Sequence, residues 1–122
     1  MATDAGRERL ITLAETLVAK TNSGSIRWTW AADGQDSLAF RYETGNATVV
    51  SETVDHDGLA PYRLSILNRE GIEVEALEWA SASGANFQAV RDLLTNLYDA
   101  ARRNALDSDS VIKDLFDDLS ET

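Results

Sequence analysis

Apolar residues recur at spacings of three and four from about Asp4 to Lys20, at Leu10, Leu13, Ala14, Leu17 and Val18. This spacing predicts a helix with one buried stripe. Thr3 or Asp4 is placed to cap its start, and Asn22 to Gly24 carries the turn chemistry that stops it. From Ser25 the period changes to two: Ile26, Trp28 and Trp30 alternate with Arg27 and Thr29, which puts the three apolar residues on one side of a strand. Asp33-Gly34 is a tight-turn signal, after which Leu38, Phe40 and Tyr42 alternate again and Gly45-Asn46 turns the chain. A third strand is expected over Ala47 to Val54, broken by Asp55-His56-Asp57-Gly58, with Pro61 at the entry of the fourth. Tyr62, Leu64 and Ile66 alternate in that fourth strand, and Asn68 to Gly71 turns into a fifth, Ile72 to Ala80. There Ile72, Val74 and Ala76 share one face while Leu77 and Trp79 fall on the other, a switch that calls for a bulge or for cover on both faces.

Helical spacing returns after Gly84. A long helix is predicted over Ala85 to Asn104, with Phe87, Val90, Leu94, Leu97, Tyr98 and Ala101 as its stripe, Leu93 beside it, and Arg102 and Arg103 in its last turn. Leu106 to Asp109 breaks and recaps the chain. A short final helix from Asp109 to about Ser120 presents Val111, Ile112, Leu115, Phe116 and Leu119 on one side, with Asp114, Asp117 and Asp118 at the remaining positions.

These elements amount to an α+β fold: an N-terminal helix, a five-stranded antiparallel meander, a long C-terminal helix and a short acidic amphipathic one, the helices packed on one sheet face. No βαβ alternation occurs, which argues against a parallel sheet. A single domain is expected over residues 1–106, with 107–122 packed on it or on a partner. Leu13, Leu17, Phe40, Leu64, Ile66, Leu94 and Leu97 are the expected core.

Composition narrows the functional classes. The chain of 122 residues has no cysteine, so neither a disulfide nor a thiolate metal site exists, and a reducing interior suits it. Met1 to Leu10 lacks the long apolar stretch of a signal peptide, and no window approaches the ~20 apolar residues of a membrane helix. A soluble, cytoplasmic protein is the expectation. The net charge of −10 disfavours direct binding to nucleic acid or to anionic membranes and permits a basic protein partner. Half of that charge lies in residues 107–122, which hold six acids against Lys113 alone.

Motifs for catalysis are lacking. His56 sits in an Asp-His-Asp-Gly stretch, the composition a hairpin loop takes for backbone reasons, with no second histidine or cysteine to join it. No nucleophile elbow and no phosphate-binding glycine pattern occurs. Carboxylates such as Glu73, Glu75 and Glu78 are abundant, so that chance pairs are expected, and Glu73 and Glu75, alternating with Ile72 and Val74, are read as a solvated strand face rather than as an acid–base pair. No cofactor or metal is expected.

Three functional readings follow. The first is a non-enzymatic interaction protein, an adaptor, inhibitor, immunity protein or chaperone-like module. It would use Val111, Ile112, Leu115, Phe116 and Leu119, rimmed by Asp114, Asp117 and Asp118, to dock on another protein, with a basic one suited to that rim, or on a second copy. The second is a small-molecule sensor or enzyme with a cleft between sheet and helices lined by Trp28, Trp30 and Tyr42, although the ordinary reading of these aromatics is core. The third is an acidic mimic of nucleic acid.

Overall fold

The computed structural model describes residues 4–30, 39–54, 60–79 and 87–121. The elements run α1 (Asp4–Asn22), β1 (Thr29–Trp30), β2 (Ala39–Glu43), β3 (Thr48–Thr53), β4 (Tyr62–Leu67), β5 (Glu73–Glu78), α2 (Phe87–Ala105) and α3 (Ser108–Ser120). The Asp33-Gly34 turn, Leu38, the loop containing His56 and the stretch from Ala80 to Asn86 lie outside the described residues.

The five strands form one sheet in the order β1-β2-β3-β4-β5, every neighbouring pair antiparallel, which is the meander expected from the alternating segments. Two of its turns show why the chain reverses where it does. The Thr44 hydroxyl accepts from the backbone N–H groups of Asn46 and Ala47. The Asn68 side-chain oxygen Oδ1 accepts from those of Glu70 and Ile72, with Gly71 at φ +82°, where a side chain would be strained. The face switch in β5 is a bulge: the register slips between Ile66 and Leu67, so that Leu67 pairs with Glu73 while Ile66 pairs with Glu75. Beyond the slip Leu77 turns inward and is buried, whereas Ile72 and Val74 remain exposed.

The ladder Phe40–Ser51–Leu64–Leu77 marks the face that meets the helices. Residues Val90, Leu94, Leu97, Tyr98 and Ala101 of α2 lie against it, all buried, and Leu10, Ala14 and Leu17 of α1 close the same cluster. A run of aromatic contacts threads this core, with Phe40 edge-on to Tyr98, Tyr98 stacked on Tyr62 at 4.6 Å, and Tyr62 edge-on to Trp79. The Arg91 guanidinium closes the run over the Trp79 ring.

Two core expectations need correction. Leu13 is exposed, because Leu10, Ala14, Leu17 and Thr21 form the buried row of α1 and Leu13 sits on its outer flank; Ile11 and Val18, on the other flank, are the ones that pack. Ile66 is only partly buried, packed at the margin of the cluster. Among the described residues the first strand also starts later than its alternation suggests, since Thr29 and Trp30 pair with β2 and the residues from Ile26 to Trp28 do not.

The preceding residues are held by side chains instead. The Asn104 side chain on α2 accepts from the Trp28 backbone N–H at 2.7 Å and donates to the Ile26 carbonyl at 3.0 Å, taking the place of a strand partner. The Trp28 indole N–H donates to the Thr21 hydroxyl at 2.8 Å, and that hydroxyl donates to the Leu17 carbonyl. One corner thus joins α1, β1 and α2.

Candidate interaction surface

Seen from α3, the molecule has an apolar face that its own fold leaves uncovered. The five apolar residues of this helix follow a spacing that spreads them over about 140° of the helix circumference. Val111 is 61% exposed, Ile112 51%, Leu115 56%, Phe116 67% and Leu119 62%, and no residue of α3 is buried. Its principal packing is against α2, the element it follows. Leu106, in the joint between the two helices, is exposed as well.

The joint sets where the stripe points. Asp107 adopts the left-handed conformation, φ 54° and ψ 43°, which breaks the helical path of α2 and starts α3 in a new direction. The Asp107 carboxylate lies 3.8 Å from Arg27, and its carbonyl accepts the first helical bond, from the Val111 N–H. Asp109 in the first turn complements the helix dipole.

Helical periodicity then sorts the acids. Asp118 borders the Val111 edge of the stripe with Asp114 behind it, and Asp109 borders the Phe116 edge. Asp117 faces the opposite side, where it takes an exposed ion pair from Lys113 at 3.0 Å. Of the three acids named for the rim, helical periodicity sets Asp118 beside the stripe, Asp114 one step further round and Asp117 on the opposite side. Asp109, which the sequence reading did not place at the rim, joins it by helical periodicity.

The second group of candidate residues is not assembled into a cleft. Trp28 is fully buried, its N–H engaged by Thr21 and its ring 6.0 Å from that of Tyr42. Trp30 shares the same sheet side, paired with Phe40, but lies on the edge strand and is 54% exposed. A ligand would find no open face on Trp28. A cleft of about 640 Å³ lies instead between α1 and α2, with Ile11, Val90 and Leu93 on its floor and Glu8, Glu15 and Asp92 at its rim.

Carboxylates on the other side of the sheet are organised by one arginine. Arg63 donates through Nε to Glu78 at 2.8 Å, and through Nη1 and Nη2 to both oxygens of Glu73 at 2.7 and 2.8 Å. Nη1 also reaches Ser65, with Glu52 3.6 Å away. The hydrogen bonds from Arg63 hold the Glu73 carboxyl below the usual carboxylate range, and Glu73 in return helps hold Arg63 cationic. A carboxylate so fixed in its ionised form is a poor proton donor. The cluster ties β3, β4 and β5 together. Among the described residues no group of three or more histidines, aspartates or glutamates is arranged to hold a metal ion, and no helix is long and apolar enough to cross a membrane.

Compared with protein-family models, with curated proteins and with solved structures, the chain matches none.

Proposed function

We propose that the chain is a non-enzymatic protein-interaction module of the cytoplasm, a small acidic adaptor, inhibitor, immunity or chaperone-like protein that docks through α3. The observation that carries this reading is the exposure of Val111, Ile112, Leu115, Phe116 and Leu119 together on one helix face. An apolar side chain gains ~1.5–3 kcal/mol when fully covered, so five that are each about half exposed represent several kcal/mol available to whatever covers them. A helix of this length is also marginal in isolation, and docking would fix it. The mode is a helix laid into a groove, read as anchors at i, i+4 and i+8.

Deleting residues 107–122 is the direct test. The truncated chain should keep its cooperative melt near the full-length Tm, because its core cluster draws nothing from α3. It should lose association with its partner. A photo-crosslinking residue at position 116 should then trap the partner that one at position 117, on the opposite side, does not. A truncation that melts far below the full chain would mean that α3 belongs to the core, and the proposal would be abandoned.

A further inference from the structure

We infer that the occupant of the α3 stripe is a protein groove with an apolar floor and an arginine- or lysine-rich rim, and not a second copy of this chain. The inference rests on the reading of α3 as a docking element and specifies what it docks on.

Three occupants are conceivable, and charge and area separate them. The first is the chain's own fold, which leaves all five residues at least half exposed. The second is another copy. Pairing α3 with α3 would bring together two helices that each carry four acids, Asp109, Asp114, Asp117 and Asp118, and one lysine. The stripe borders, Asp118 on one edge and Asp109 on the other, would then meet like charge at the seam. The contact would also be small. A helix of this length is about 20 Å long, and two such faces pressed together bury on the order of 600 Å², short of the roughly 1,000 Å² that a specific interface needs.

A copy could offer its α1–α2 cleft instead. That cleft has an apolar floor of suitable kind in Ile11, Val90 and Leu93, but its rim is Glu8, Glu15 and Asp92. Seating α3 there would set its aspartates against three more acids. These two apolar surfaces are therefore mismatched to each other in charge, and both carry an acidic border.

The third occupant meets both conditions. A groove with basic edges pairs with Asp109, Asp114 and Asp118, and its walls enclose the flanks of α3, which enlarges the area beyond what a helix pair supplies. The single base, Lys113, is already engaged by Asp117 away from the stripe, so it does not oppose such a rim.

The test uses the purified full chain and designed two-helix hairpins as probes. One hairpin presents a leucine-lined groove edged by arginines, a second has glutamates in place of those arginines, and a third scrambles the first at equal charge. Binding is read by fluorescence anisotropy at rising salt, with the mass of the chain alone followed by sedimentation. The arginine-edged hairpin should bind at least about tenfold tighter than either control and weaken as salt screens the rim. The double variant Leu115→Ser/Phe116→Ser should keep its Tm and lose that preference. Equal binding of the glutamate-edged or scrambled probe, or no binding of any, would overturn the basic rim. A dimer of the chain abolished by the double variant would name the second copy as occupant, leaving the docking reading intact. Tight binding indifferent to Leu115 and Phe116 would overturn the docking reading as well.

Discussion

Helices α2 and α3 follow one another in the chain and carry apolar stripes of the same kind. In α2, Val90, Leu94, Leu97, Tyr98 and Ala101 are exposed by 4% or less. In α3 every stripe residue is exposed by half or more. Both helices are amphipathic by pattern, so the periodicity identifies a face that needs cover without saying what covers it. The difference arises in the two residues between them, Leu106 and Asp107. Had α2 continued or turned back at Leu106, the second stripe would have joined the first; the left-handed Asp107 directs it elsewhere.

The contrast is easiest to break by mutation. Leu94→Ala or Leu97→Ala should each destabilise the fold by about 2–5 kcal/mol, since both side chains are fully enclosed, and urea melts would report it. A loss below about 1 kcal/mol would show that α2 is not the centre of the core. Asn104→Ala should follow with about 1–3 kcal/mol, because it leaves the Trp28 N–H and the Ile26 carbonyl without their partner. Near-UV circular dichroism of Trp28 should change with it.

A smaller effect belongs to the far side of the sheet. Arg63 lowers the Glu73 carboxyl from its ordinary value, so the folded chain draws stability from the ionised form above the unfolded carboxylate range, near 4.3, and loses it as pH falls through the folded value. Glu73→Gln should therefore lower Tm slightly at neutral pH and flatten its fall in acid. The shift is small because the Glu73 carboxylate is 42% exposed and water screens the pair. The smallest effect should come from α3: Leu115→Ala should alter stability by less than about 0.5 kcal/mol. Measured beside Leu94→Ala, it sets the two stripes against each other in one experiment.

Much of this architecture is legible in the residues themselves. Leu17, Phe40, Leu64, Leu94 and Leu97 are buried as their spacing requires, and the change of face between Val74 and Leu77 announces the bulge. What escapes is nonlocal. Leu13 repeats at the correct interval in α1, yet its exposure depends on the angle at which α1 meets α2, which no local pattern encodes. Asn104 reads as an ordinary polar residue near a helix end, and its hold on Ile26 and Trp28 joins positions 78 and 76 residues apart. Trp30 alternates correctly with Trp28 on one sheet side, but only the position under α2 and α1 is covered. In α3 the stripe is legible and its neighbours are not, because Asp107 is the residue that aims it.

That joint has a mechanical consequence. With about 20 Å of helix beyond it, α3 is a lever whose fulcrum is one residue. A rotation of about 20° at Asp107 would carry the far turn, with Leu119, some 7 Å through solvent while the core stays still. A left-handed aspartate costs about 1–2 kcal/mol that glycine would not incur. Asp107 therefore biases the lever toward one bearing only as strongly as its local contacts, such as the one with Arg27, outweigh that cost. The reach of the stripe and the rigidity of the fold are thus adjustable separately, the first by residues 106–108 and the second by the corner around Asn104.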